Sequence, residues 1–398
     1  MKRIFDGLKV IDCASFIAAP AAATVLSDFG ADVIKIEPPT GDAYRQTFTA
    51  AGQPQSDENY CWLLDARNKR SLAVDLASAD GKAILGRLVS TADVFITNYP
   101  SAVRRKLGFT YADLKARNEK LIYASFSGYG ERGAEADKPG FDTTAWWARS
   151  GMMDGVRATS ANPARSLGGM GDHPSSLALL SGILMALYRR QQTGEGGEVT
   201  SSLLANGLWA NGLIAQAALC GAHVPPRPSR DAAPNALGNS YRCRDGLWLI
   251  IAIHNEDRQW PDLLDCLGAQ RLQDDPRFAT REKRLANSVA LIAELDSVFA
   301  SQDRAFWRDR LNAKHILFDI IATPADLHND LQMIENDILV PFADGSGETI
   351  NSPIWLSGET KVAPKRAPEL GEHSDAILRE AGFAEDEITR MRAAKSVA

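Results

Sequence analysis

Residues 8–37 read LKVIDCASFIAAPAAATVLSDFGADVIKIE, and the pattern in this stretch decides the fold. Leu8–Ile11 is a short apolar run of strand length. Pro20–Phe29 is a helix of small residues, with Gly30 where a C-terminal cap belongs. Val33–Ile36 is a second strand, closed by Glu37. The alternation then repeats: strand Ser71–Leu76, helix Asp80–Ser90, strand Val94–Thr97, helix Tyr111–Asn118 and strand Leu121–Phe126. Strands alternating with helices of about ten residues imply an α/β fold with a mostly parallel, doubly wound sheet.

Farther along, Pro174–Gln192 reads as a long apolar helix stopped by Gly194-Glu195-Gly196-Gly197, and Ser201–Leu219 as another, buried helix. The Pro-, Arg- and Gly-rich segment Val224–Asn239 is the best linker candidate. Beyond it come strand Trp248–Ile253 and helical patterns at Arg258–Leu267, Leu291–Phe299 and Ala305–Leu311, a smaller α+β unit. A second Pro-rich stretch, Ser352–Pro368, precedes helices at Asp375–Ala381 and Glu385–Arg392. The resulting division is a large domain begun by residues 1–222, a small one over 223–330, and a C-terminal segment 331–398.

Composition narrows the function. Among 398 residues, 45 % are hydrophobic and 24 % charged, the balance of a soluble globular protein. The net charge of −6 gives no support to a nucleic-acid partner. No apolar run reaches the roughly eighteen residues of a membrane span, so no membrane association is expected. The five cysteines are odd in number and lack CxxC pairing, which argues against a disulfide framework or a structural zinc site. The start carries no apolar leader, and the expected compartment is the cytoplasm. The six histidines show no metal-ligand spacing, so no metal is expected.

Three motifs carry chemistry. Gly128-Tyr-Gly130-Glu-Arg-Gly133 is a GxGxxG after a strand, but Pro139 interrupts the polar stretch that follows it, where a dinucleotide site needs a helix. We expect a mobile glycine loop there and no NAD. Glu37, at a strand end, reads as a solvated carboxylate. Basic and polar groups recur after strand ends, at Arg67–Arg70, Asn98-Tyr99 and Arg104–Lys106. They suit an acidic, phosphate-bearing ligand or, equally, a solvated basic face.

The third motif is Gly168-Gly-Met-Gly171-Asp172-His173-Pro174. Pro174 suits a first helical turn, which places Asp172 just before the helix N-terminus. There Asp172 or His173 can act as a simple cap. Capping does not require three upstream glycines, however. A carboxylate among glycine amides such as those of Gly169 and Gly171 is also what a nucleophile needs, because N–H groups stabilise an acyl oxyanion. No P-loop, HExxH or GxSxG is present.

Taken in order, Gly30–Glu37, Asn68–Ser71, Arg104–Gly108, Gly171-Asp172 and Arg366–His373 resemble the class III CoA-transferases (CaiB/BaiF type) nearly end to end. That family also includes α-methylacyl-CoA racemase. Phe16–Pro20, Gly140-Phe141-Asp142 and Trp146-Trp147 are most similar to the phenyllactate CoA-transferase group. The resemblance implies a Rossmann-like large domain, a small domain and two chains interlocked as a homodimer. It implies Asp172 as the catalytic residue, and coenzyme A contacts at Ala18, Val74, Asp75, Leu76, Ala77, Asn98, Tyr99, Lys106, Phe141 and Asp142.

Departures from the family pattern refine this. Ile17 stands where formyl-CoA transferases have Gln, and Pro234–Tyr241 holds one glycine in place of their tetraglycine loop, which points away from oxalate and formate. Phe141 stands where the racemases carry a histidine base, and phenylalanine cannot accept a proton. The expected activity is therefore ping-pong transfer of CoA from an acyl-CoA to a carboxylic acid, through an aspartyl anhydride and an aspartyl-CoA thioester. A racemase or isomerase of the same family is the alternative, with an NAD-dependent dehydrogenase behind it. Trp146 and Trp147 read as core or interface before substrate wall.

Overall fold

A computed structural model describes residues 2–398. By internal contacts the chain forms two compact units, one of residues 1–153, 165–222 and 332–398, the other of residues 154–164 and 223–331.

The larger unit is built on a six-stranded sheet: β1 (Lys9–Cys13), β2 (Asp32–Glu37), β3 (Arg70–Ala73), β4 (Val94–Thr97), β5 (Ile122–Ser127) and β6 (Gly197–Ser202). The spatial order is β3-β2-β1-β4-β5-β6, with every neighbouring pair parallel. The chain builds outward from β1 to β3, then crosses over to β4 and builds the other way. That reversal leaves a crevice beyond the carboxyl ends of β1 and β4, the place where doubly wound sheets bind ligands.

The inner strands are buried on both faces, hence their unbroken apolar runs such as Val94-Phe-Ile96. On one face, helix Ala18–Asp28 is buried along its whole length, and its alanines allow close packing against helix Asp172–Thr193. On the other, helix Ala79–Thr91 and the C-terminal helices Ser374–Glu380 and Glu385–Ala393 share a core with Phe95 and Tyr123. The C-terminus is tied in by a bridge from Val397 to Val74.

Several expectations are corrected. Ser201–Leu219 is not one buried helix. Its first residues finish β6, an edge strand whose alternating exposure hides its apolar signal, and the Ser202 side chain then caps helix Leu203–Ala210. A second helix, Gly212–Leu219, follows after Asn211, and Trp209 and Leu213 are 87 % and 85 % exposed. The long helix begins at Asp172, with Gly171 at its N-cap, two residues earlier than Pro174 implied.

The smaller unit has a three-stranded antiparallel sheet (Ser240–Arg242, Trp248–Ile251, Phe318–Ile321) packed with helices Glu256–Leu267, Ser288–Phe299 and Arg304–Ala313. The segment read as a linker contributes to this core, since Ala236 and Leu237 are fully buried.

Candidate active site

The crevice opens into a cavity of about 460 Å³. Its walls come from the loop after β1 (Ser15–Ala18), the loop after β4 (Asn98–Ser101), the glycine loop after β5, and the Gly168–Asp172 turn. A second hollow, of about 450 Å³, lies at the opposite strand ends, where Arg190 is already paired with Asp93. It sits at the wrong end of the sheet for a doubly wound site.

A buried ionic lattice fixes the first wall. Lys35 binds Asp42 at 2.8 Å and the Ala14 carbonyl, while Lys69 binds Asp12 at 2.8 Å; all four charged side chains are essentially dry. Mutual pairing makes such burial tolerable. Asp42 accepts the Ser15 hydroxyl, and Asn98 exchanges two hydrogen bonds with the Ser15 backbone, its Oδ1 accepting at 2.8 Å and its Nδ2 donating at 2.7 Å. The loops after β1 and β4 are thereby locked together. Phe16 sits between them in a left-handed conformation (φ 61°) that a bulky side chain rarely adopts. Its ring meets Phe141 edge to face at 5.4 Å on the cavity rim.

This lattice overturns two sequence expectations. Glu37 is not a solvated strand end: it is buried, bound by Arg45 through two nitrogens, and accepts the Ser71 hydroxyl. Arg67 and Lys69 form neither a solvated face nor a ligand cluster; Arg67 pairs with buried Asp28 and Lys69 with Asp12.

Asp172 occupies the first helical turn, at the cavity wall beside Gly168 and Gly169. It is not a cap, because no side chain caps this helix. Among the described residues, no group donates a hydrogen bond to its carboxylate. Burial and the nearby Asp142 push its pKa from 3.8 up to about 7, with His173 pulling the other way. Of the upstream glycines, only Gly169 has positive φ (76°). Gly171 is required for another reason: the Trp146 ring fills the space a side chain would need. The Gly171 amide donates to Asp142 Oδ2 at 3.3 Å and so is already engaged. The Gly169 amide has no such partner among the described residues.

The other candidates divide. Ala18, Asn98, Tyr99, Phe141 and Asp142 line the same cavity as Asp172. Val74–Ala77 and Lys106 do not: Val74 is buried against the C-terminus, and Lys106 stands with Lys82, Arg105 and Arg117 around a separate hollow of about 380 Å³. Trp146 and Trp147 are stacked in the core. The Gly128–Gly133 loop opens no helix, so a pyrophosphate site of the dinucleotide type has no helix end to rest on.

Arg104, read from the sequence as part of a ligand cluster or a solvated basic face, is instead buried in the cavity wall, where it pairs with Glu131 of the glycine loop, and Ser125 donates to the other Glu131 oxygen. Residues that the sequence did not single out are Asp65, which reaches His173 from the far side, and Tyr44, whose hydroxyl donates to Asp65. No local pattern announces such contacts, since Asp65 and His173 are 108 residues apart in sequence.

Comparison with known proteins agrees with the geometry. Residues 5–374 match the model of CoA-transferase family III. The chain is 32 % identical to (R)-2-hydroxy-4-methylpentanoate CoA-transferase of Clostridioides difficile, over 99 % of both chains. It is 33 % identical to cinnamoyl-CoA:phenyllactate CoA-transferase of Clostridium sporogenes, over 99 % of this chain and 97 % of the relative. A crystal structure of a CaiB/BaiF family protein from Brucella suis superposes with a TM-score of 0.87 at 30 % identity, covering 96 % of this chain and 100 % of that one. The switch-point cavity and these full-length similarities lead to one assignment: the chain belongs to CoA-transferase family III and is a transferase enzyme.

Proposed function

We propose that this enzyme moves CoA from an acyl-CoA thioester to a carboxylic acid by a ping-pong route in which Asp172 is the nucleophile. The observation that carries this reading is the Asp172 carboxylate itself, unbonded and facing a cavity of about 460 Å³ at the sheet's switch point.

An Asp172 oxygen attacks the thioester carbonyl, and the C–S bond breaks to give a mixed anhydride and CoA thiolate. The thiolate attacks the aspartyl carbonyl and expels the donor acid, leaving an aspartyl-CoA thioester. The acceptor carboxylate attacks that thioester, re-forming an anhydride and the thiolate. The thiolate then takes the new acyl group and frees Asp172. One activated carbonyl is exchanged for another throughout, so no external energy source is consumed. The Gly169 amide and the positive helix end would stabilise each oxyanion, and Gly171 would do so only if Asp142 releases its amide.

Ala18, Asn98, Tyr99, Phe141 and Asp142 form the CoA channel near the reacting carbonyl. Lys106 and its basic neighbours suit CoA phosphates farther out, with Val74–Ala77 as an outer contact. The apolar Phe16–Phe141 rim suits branched or aromatic acyl groups, the class the two relatives' names carry. Met185, Tyr188, Trp209, Leu213 and Leu219 are exposed apolar side chains that a second, interlocked copy of the chain would cover.

The test is to trap the intermediate. Donor acyl-CoA plus hydroxylamine should inactivate the enzyme and change the mass of one peptide, that containing Asp172. Labelling at Asp142 would keep the reaction and move the nucleophile; no labelling during turnover would overturn the covalent route. A mass-spectrometric screen of acyl-CoA donors against mixed acids identifies the substrates.

A further inference from the structure

Next to Asp172 lies a charge relay that the transfer chemistry above leaves unused. His173 Nε2 lies 3.0 Å from Asp65 Oδ1, and the other Asp65 oxygen accepts the Tyr44 hydroxyl at 2.7 Å. On its opposite edge, His173 Nδ1 lies 3.1 Å from the Gly169 carbonyl. A carbonyl can only accept, so Nδ1 must carry a proton. An ionised Asp65 carboxylate also only accepts, and with it Nε2 carries a proton too. An imidazole ring that donates at both nitrogens is a cation.

The anchor is rigid. Asp65 is 4 % exposed, and its own backbone carbonyl accepts the Thr24 hydroxyl. Tyr44 is buried in a small cluster with Trp62 and Ala66. The His173 ring, 41 % exposed, is held at its two ends from different parts of the chain.

We propose that His173 is a positioning residue of the transfer reaction: Asp65, itself held by Tyr44, locks its ring as an imidazolium beside Asp172, and that fixed charge favours the ionised, nucleophilic form of the neighbouring carboxylate. This rests on the reading of Asp172 as the nucleophile.

The surrounding charges fit. Burial works against the His173 cation, but the Asp65 hydrogen bond and charge, Asp172 and the Gly169 carbonyl together raise its pKa. For Asp172, burial, Asp142 and Asp65 favour the protonated acid, and the charge of His173 opposes them. Lys69 also feels Asp65, and Cys61 touches Tyr44, so both belong to the same electrostatic setting.

The test is a pair of measurements on the full-length enzyme. Long-range nitrogen-15 NMR of histidine-labelled protein, with His173 assigned through His173→Gln, should show His173 doubly protonated from pH 6 to 8. In Asp65→Asn it should become neutral within that range. A neutral His173 at pH 7 in the wild type, meaning that Asp65 holds the proton, would overturn the proposal whether or not the variants fold.

The second measurement is the pH profile of kcat/KM. In His173→Gln and Asp65→Asn the acid limb should move up by about one pH unit, with the rate near pH 9 recovering to within about threefold of wild type. A uniform loss at every pH, or an unmoved limb, would mean that His173 serves packing alone. Failure of the nucleophile reading is separately visible: Asp172→Asn would then retain turnover while the NMR result stood unchanged.

Discussion

Asp142 reaches across the cavity wall to the start of the helix that carries Asp172, accepting the Gly171 amide at 3.3 Å. A second carboxylate thus stands close to the proposed nucleophile, and the same contact occupies one of the glycine amides that the sequence offered to an oxyanion. The two carboxylates repel, which is part of why Asp172 holds its proton up to about pH 7.

Asp172 should therefore lower stability at the pH where it works. Its folded pKa, about 7, lies above the ordinary 3.8, so the folded state binds the proton more tightly. The stabilisation is fully present below pH 4 and is lost as pH rises through 7. After allowance for solvent screening, this amounts to about 1–2 kcal/mol. Asp172→Asn should melt above wild type at pH 8, with the gap closing toward pH 4, while turnover falls at least a thousandfold. Calorimetry across that range checks the sign; a variant less stable than wild type at pH 8 would contradict it.

Neighbouring glycines should respond oppositely to one methyl group. At Gly171 an added Cβ would sit 2.6 Å from the Trp146 ring, whereas at Gly168 nothing lies within 4 Å. Gly171→Ala should cost about 1–3 kcal/mol through overpacking, and Gly168→Ala should leave the denaturation midpoint almost unchanged. Urea unfolding of the two variants distinguishes them.

Phe141 offers no proton acceptor at the cavity rim. The enzyme should not wash solvent deuterium into the α-carbon of a 2-methylacyl-CoA during an hour of incubation. Rapid exchange, followed by mass spectrometry, would restore the racemase reading.

The exposed side chains of Trp209 and Leu213 should be covered in solution. If two chains interlock, dilution to nanomolar concentration should yield no monomer by mass photometry, because separation would require unfolding. A compact, active monomer would end that idea.

What the sequence determined by itself was the parallel sheet and the singling out of Asp172. Strands and helices announce themselves through periodicity within a few residues, and a glycine-flanked acid before a helix is equally local. β6 escaped because an edge strand with polar alternation carries little apolar signal. Only the tertiary structure decided which charges are buried, since burial belongs to the packed chain and not to the residue. It turned Glu37, Arg67 and Lys69 from surface groups into paired interior ions. It put Trp146 in the core, where its ring dictates a glycine at position 171. And it brought Asp65, held by Tyr44, to His173 across more than a hundred residues, a meeting that only the folding of separate βα units onto one sheet can produce.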